Sequence, residues 1–448
     1  MNTTNLMGKK IMFVLSLLMT VPLVNAQDSL IIDLNQALEI AMSENPTIRV
    51  ADKEITLKKE SRREAFAGLF PEVALSGTYS RTLKKQTMVM DFGGKSETIQ
   101  VGSDNTYSGG LTVSLPIYAP ALYKSIKMTR TDVDLALEKS RASKLDLVNQ
   151  VTKAFYQLLL SQDSYEVLKK SYAQSEDNYN IVNAKYQQGA VSEYDKISAE
   201  VQMRSLKPSV VSASNGVNFA KLQLKVLLGV GPDLEIGIKG QLKDYEMEMF
   251  QRQLSSESLN LNNNIELKQL DLNEKMLQQN LKLQRTNFLP TLGASFNYMY
   301  TSLNNDFKIA HYDWFPYSTF GLSLNIPIFK ASNFTKTKQT KIQLSQLVDN
   351  RVNIERQLNM QVTSYMDNMS ASTEQVISNK EAVYQAEKGR QIAEKRYEVG
   401  KGTILELNSS EVALTQAELV YNQSIFDYLV SKADLDKVLG LDTPVMNK

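Results

Sequence analysis

The stretch AKYQQGAVSEYDKISAE, Ala184–Glu200, joins two long helical patterns at a glycine. A loose second copy, EKRYEVGKGTILELNSSE, runs from Glu394 to Glu411. Tyr186 and Gly189 in the first copy correspond to Tyr397 and Gly400 in the second, each pair 211 residues apart. A helical tip used twice at a fixed interval marks an internally duplicated chain. Pro116 and Pro327, and Gly229 and Gly440, keep the same interval. Earlier landmarks (Asp52 and Asp271, Pro71 and Pro290, Tyr79 and Tyr298) lie 219 apart, which puts eight additional residues of the first half between Tyr79 and Pro116.

Outward from the first tip, residues 121–188 contain neither glycine nor proline. At ~1.5 Å per residue such a helix is about 100 Å long. Its seam steps alternately by three and four residues through Val151, Ala154, Leu158, Ser161, Tyr165, Leu168, Tyr172, Ser175, Tyr179, Val182 and Tyr186, as a helix packed lengthwise on a partner requires. The return helix runs to about Leu228, with a kink expected at Pro208. The second half repeats the hairpin, from about Ser332 to Gly440.

Before each long helix the period changes to two. Val73, Leu75 and Tyr79 alternate with Ala74, Ser76, Thr78 and Ser80; Leu111, Val113 and Leu115 alternate with Thr112 and Ser114. In the second half Leu292, Ala294, Phe296, Tyr298 and Tyr300 alternate with Gly293, Ser295 and Asn297, and Phe320, Leu322, Leu324 and Ile326 with Gly321, Ser323 and Asn325. Each segment reads as a strand with one apolar and one wet face. A loop is predicted over about 90–105, and Pro71, Pro116, Pro290 and Pro327 mark the junctions of strands with helices. Asp33 is the expected N-cap of a first helix that breaks at Asn45-Pro46.

Composition narrows the chemistry. The 448 residues carry 50 basic and 49 acidic groups, which excludes a global field suited to nucleic acid. With no cysteine and the single histidine His311, thiolate sites and most histidine catalysis are absent, and neither enzyme activity, cofactor nor metal is expected. Lys9 and Lys10, the apolar run Ile11–Val24 and Val24-Asn25-Ala26 before Gln27 predict a signal peptide over 1–26. That run is short of the ~20 residues needed to span a bilayer.

The predicted order is therefore a first repeat, 27–230 (β-hairpin about 72–115, helical hairpin about 121–228), a linker over 231–263, a second repeat, 264–440 (β-hairpin about 291–326, helical hairpin about 332–440), and a tail, 441–448. Four half-wet strands fit either a soluble sandwich or part of a membrane barrel. They are too few to close a barrel within one chain, since the smallest outer-membrane barrels need about eight strands. Lipid tolerates no open sheet edge, so in a membrane the edges must pair between subunits.

The duplication, the strand exits SLPIY (Ser114–Tyr118) and NIPIF (Asn325–Phe329), and the tips KYQQGAVSEYD and RYEVGKGTILE resemble the TolC-type outer-membrane efflux family over about Leu34–Gly440. That resemblance implies an α+β membrane protein in the cell outer membrane. Its homotrimer would form a twelve-stranded barrel, four strands per chain, continued by a long coiled-coil-like α-helical barrel in the periplasm. Implied partners are a periplasmic adaptor (membrane fusion protein), an inner-membrane pump of RND or ABC type and outer-membrane lipid, with no nucleic acid. The implied function is the exit duct of a tripartite efflux system. An ABC-driven peptide or protein secretion channel is the first alternative, and a pore-less scaffold or adhesin the second. Gln27 in place of cysteine sets the chain apart from the lipid-anchored branch.

The same resemblance implies a periplasmic gate at the tips, with Tyr397 donating to Asp195. Gly402 stands where the family has a second basic tie, and Lys401 is its neighbour. Glu406 takes the first position of a cation-attracting carboxylate ring, Ser409 the second, and Glu411 lies too far around the helix to replace it. Ala190, Val191, Lys401, Thr403 and Ile404 are the implied adaptor-docking surface, although Val191 and Ile404 also suit the hairpin interior. The residues alone also allow Asp195 as a helix cap, Tyr397 as the end of the seam and Glu406 as a solvated helix charge. Gly189 and Gly400 are expected to supply the positive backbone angle of each turn.

Overall fold

A computed structural model describes residues 30–93, 95–251 and 260–442. The expected signal segment, part of the 231–263 linker and most of the 441–448 tail lie outside the described residues. Strand β1 is Leu30–Ile32; helices α1 and α2 are Leu34–Glu44 and Pro46–Ala67. Strands β2 to β5 follow at Glu72–Arg81, Gln86–Phe92, Lys95–Val101 and Asn105–Tyr118. Helices α3, Pro120–Gln187, and α4, Glu193–Leu228, form the first hairpin, and β6, Ile236–Ile238, and α5, Glu246–Gln251, come after it. The second half holds α6, Ile265–Thr286, β7, Thr291–Asn304, β8, Phe315–Asn325, α7, Ala331–Glu398, and α8, Ile404–Leu439. Both ends of α7 and of α8 lie 211 residues beyond the corresponding ends of α3 and α4.

Local chemistry sets the boundaries. Asp33 accepts from Gln36 N at 2.9 Å while Gln36 Oε1 accepts from Asp33 N at 3.0 Å, a reciprocal cap that starts α1. Asn45 is extended at ψ 125, as a residue before proline must be, and α2 restarts at Pro46. Helix α4 continues through Pro208. Every residue of the predicted α3 seam is buried or half-buried.

The central sheet has the order β2-β5-β7-β8 and is antiparallel throughout. Its register aligns the alternations of all four strands. Val73 faces Val113, Val113 faces Phe296, and Phe296 faces Phe320, so the apolar side is common to the sheet. On the other side Thr78 and Ser108 hydroxyls lie 2.6 Å apart, and Asn297 donates to Thr319 at 3.3 Å. The apolar face is uncovered within one chain: Leu75 is 80% and Phe320 70% exposed.

Two expectations need correction. The predicted loop over 90–105 contains most of a separate hairpin, β3 with β4, turning at Gly93 with φ +66. The described residues therefore hold eight strands, four of them in the central sheet. Pro116 is not at a strand–helix junction. It lies inside β5 opposite Gly293, next to a register shift, and the strand ends at Tyr118. Before α1, the short strand β1 pairs in parallel with β6.

By contacts the chain divides into two units, each drawing on both halves of the sequence. The first comprises residues 30–45, 150–251 and 369–430, the second 46–149, 260–368 and 431–442. In the first unit Asn45 Nδ2 donates to Leu227 O at 2.7 Å, and Gly229 packs on Glu44 and Asn45 so tightly that a Cβ would lie 2.8 Å from Glu44 O. The second unit repeats this lock. Asn264 Nδ2 donates to Val438 O at 2.7 Å, and a Cβ on Gly440 would lie 2.1 Å from Asn263 O. There Arg141 adds bonds to Gly440 O at 2.9 Å and Asp442 Oδ1 at 3.1 Å.

Replacing Asn45 or Asn264 by alanine strips the donor from a helix-end carbonyl, which costs about 1–3 kcal/mol when the acceptor is left buried. Each substitution is expected to lower the thermal unfolding midpoint of the purified protein, read by circular dichroism; an unchanged midpoint would show the lock to be dispensable.

Candidate functional site

The two tips are built alike. After α3, Gly189 takes φ +70, and Ala190 N donates to Lys185 O at 2.9 Å. After α7, Gly400 takes φ +72, and Lys401 N donates to Arg396 O at 2.8 Å. In both, the left-handed glycine lets the chain satisfy helix-end carbonyls and reverse. Each return helix is then capped. Ser192 Oγ accepts from Asp195 N at 3.2 Å, and Thr403 Oγ1 accepts from Glu406 N at 3.1 Å.

Behind the turns, one apolar cluster unites both hairpins. Val182, Ala199, Ile404 and Leu407 are its buried members, with Tyr179, Val191, Ala393 and Tyr397 packed against them. Ile404, 1% exposed, is core and not docking surface: its place directly after the second turn directs it at Val182 and Ala199. Val191 also packs on this cluster and is half-covered, whereas Ala190, Lys401 and Thr403 are exposed.

The expected Tyr397–Asp195 bond is not made within the chain. Asp195 Oδ2 accepts from Ser192 N at 3.1 Å and Ser192 Oγ at 2.8 Å, completing the cap of α4. Tyr397 Oη is buried without a hydrogen-bond partner among the described residues. Burial, and then the negative charge of Asp195, raise its pKa. Lys185 Nζ lies 5.0 Å from the centre of the Tyr397 ring, and Lys196 Nζ 5.2 Å from that of Tyr186, so each of the two corresponding tyrosines sits under a cation.

Glu406 is not a lone ring carboxylate. Arg396 Nη2 lies 3.6 Å from its Oε2 and donates to Lys401 O at 3.2 Å. Arg396 was not singled out in the sequence, because the pair forms only when the turn brings positions ten apart together. Glu411 is also placed differently from a pore-lining acid. It is 3% exposed and faces α3, accepting from Ser175 Oγ at 3.3 Å and from Asn178 Nδ2. Burial raises its pKa against the lowering influence of both donors and of Arg390.

The arrangement offers an apolar joint between two hairpins, with charged and phenolic groups around it. Among the described residues no group of three or more histidines or carboxylates could hold a metal ion.

Ile404→Ala should destabilise the tips by about 2–5 kcal/mol through the cavity it leaves. The readout is faster proteolytic nicking near residues 189 and 400; an unaltered cleavage rate would remove the cluster from its joining role. Glu411 gives a pH dependence. Its carboxyl has a folded pKa above the ordinary 4.5, so the stability it contributes is fully present below that value and is lost as pH rises through the raised one. Hydrogen exchange in α8 around Glu411 is expected to be better protected at mildly acidic than at neutral pH after correction for intrinsic rates. Glu411→Gln should flatten that difference, and a slope that persists in the variant would assign it elsewhere.

A sequence model of the outer membrane efflux protein family matches residues 37–230 and 257–441. Outer membrane protein TolC of Vibrio cholerae is 22% identical over 339 residues, covering 74% of this chain and 76% of that protein. The probable efflux pump outer membrane protein TtgC of Pseudomonas putida is 23% identical over 422 residues, covering 91% and 82%. In three dimensions the Campylobacter jejuni CmeC outer membrane channel aligns with TM-score 0.72 at 17% identity, over 91% of this chain and 85% of that one. The two matched spans each take in one β-hairpin of the central sheet and one long helical hairpin. The chain belongs to the outer membrane efflux protein family.

Proposed function

We propose that the chain is the outer-membrane exit duct of a tripartite efflux system, working as a homotrimer. The observation that carries this is the central sheet, with its bare apolar face, its polar opposite face, and strands β2 and β8 whose outer edges are unpaired among the described residues. Lipid accepts the first and forbids the last. Because β2 and β8 run antiparallel to one another, β8 of a second copy against β2 extends the same alternation. Eight strands would enclose an interior filled by side chains. Three copies give twelve strands and no edge, as the resemblance to TolC-type proteins implies.

Apolar stripes left open on the long helices support the same assembly. In the first unit α4 exposes Tyr194, Ile197 and Val201, and α7 exposes Ile377, Tyr384 and Ile392. Two different surfaces meeting head to tail close a ring. Among the described residues no helix is long and apolar enough to cross a membrane. The helices are therefore assigned to the periplasm and the sheet to the outer membrane, with residues 1–26 as the export signal. Equal helix bounds at the 211-residue interval support the internal duplication and the two-repeat division. The tips form the entrance, where Ala190, Lys401 and Thr403 offer the exposed surface for a periplasmic adaptor, and the adaptor couples the duct to an inner-membrane pump.

Deleting the gene should sensitise the host to a panel of toxic compounds, cross-linking at the tips should capture an adaptor, and purified trimers should give stepwise current in planar bilayers. Capture of an adaptor from an ABC-driven secretion system, with unchanged susceptibility, would replace efflux by protein or peptide export. Trimers that never conduct would reject a duct altogether.

A further inference from the structure

We propose that Arg396 sets the charge of the entrance by neutralising Glu406, so that the duct lacks a strong preference for cations. This rests on the assignment of the tips as the entrance and adds the residue that determines which ions that entrance favours.

The geometry begins with the second turn. Lys401 N and Gly402 N both donate to Arg396 O, at 2.8 and 3.0 Å, so the chain folds directly over Arg396. A Cβ on Gly402 would lie 3.0 Å from Arg396 Cβ and 3.1 Å from Tyr397 N. Position 402 is therefore too crowded to carry a long basic side chain without moving its neighbours. The guanidinium at this tip comes from Arg396 instead. It is held by Lys401 O at 3.2 Å and stands 3.6 Å from Glu406 Oε2 of its own hairpin.

The surrounding charges do not restore an acidic entrance. Ser409, one turn beyond Glu406, carries none. Lys395 is paired with Glu398 at 2.6 Å, and Lys401 adds a further exposed positive group. At the first tip Lys185 and Lys196 balance Glu193 and Asp195. The exposed Arg396–Glu406 contact is a weak bond by itself. Its electrical effect does not depend on that strength, because opposite charges a few ångströms apart cancel for an ion passing at the Debye length of about 8 Å. Threefold repetition thus yields alternating pairs in place of three bare carboxylates. Such an entrance admits anionic and neutral solutes without an electrostatic barrier.

The test is the cation-to-anion permeability ratio of reconstituted trimers, read from reversal potentials in a potassium chloride gradient. Wild-type trimers should discriminate little. Arg396→Gln should raise the ratio severalfold toward potassium, Glu406→Gln should lower it severalfold toward chloride, and Arg396→Lys should leave it near wild type. Current through each variant verifies its assembly in the same trace, and Glu406→Gln reads the pairing independently should Arg396→Gln fail to assemble. A strongly cation-selective wild type, or neither neutralising variant shifting the ratio, overturns the inference while leaving the duct intact. Wild-type trimers without current overturn the duct, and the inference with it.

Discussion

A backbone N–H or C=O without a partner costs several kcal/mol in hydrocarbon, and the central sheet ends in two strands whose outer edges are unpaired among the described residues. Everything else in the proposed assembly follows from removing those edges. The chain cannot do so by itself, since its four strands cannot close into a cylinder. It can do so with copies of itself, because the strand order β2-β5-β7-β8 leaves one up-running and one down-running edge. The eight additional residues of the first half fall between β2 and β5, where the β3–β4 hairpin is formed, and the four-strand register is undisturbed. The insertion is accommodated at the loop end, away from the pairing that the membrane would demand.

At the tips the ordering force is different. There the hairpins are joined by burial of Val182, Ile404 and Leu407, not by backbone pairing. Apolar packing is non-directional, so it holds two helix pairs together without dictating what their surfaces carry. The polar groups are consequently free to differ between the two tips. The first tip spends its carboxylate Asp195 on capping, whereas the second caps with Thr403 and leaves Glu406 to Arg396. Tyr397 retains a buried hydroxyl with no acceptor among the described residues.

Much of the fold was legible because two periodicities are hard to confuse. Nearly seventy residues without glycine or proline bounded α3, and alternation over Val73–Ser80 and Leu292–Tyr300 located strands whose register then proved common to one sheet. The β3–β4 hairpin is hidden from a reading by alternation although Gly93-Gly94 is a turn signal, because charged Asp91, Lys95 and Glu97 interrupt its apolar pattern. Pro116 has the position of a strand terminator, but a proline near a strand end is tolerated at an irregularity in register. The candidate site was less legible. Helical spacing predicts neighbours at three and four residues, whereas Arg396 and Glu406 meet across a left-handed turn, and Ile404 changes from surface to core by a single position in that turn. Glu411 was excluded from a pore by its angle on the helix, yet nothing in the sequence identified Ser175 and Asn178 as its partners.

The asparagine locks have a kinetic consequence. Asn45 reaches Leu227 across 182 residues of chain, and Asn264 reaches Val438 across 174. Each half of the sequence is thus fastened by joining its beginning to its end, and neither lock can close until its final residues have been made. Such long-range closure is slow, since the loop entropy is lost before the contacts that compensate for it are made. A chain emerging N-terminus first would hold α1 and α6 without these partners until the end of each half is made. Closure of the two locks is therefore expected to be a late and slow event in the folding of the chain.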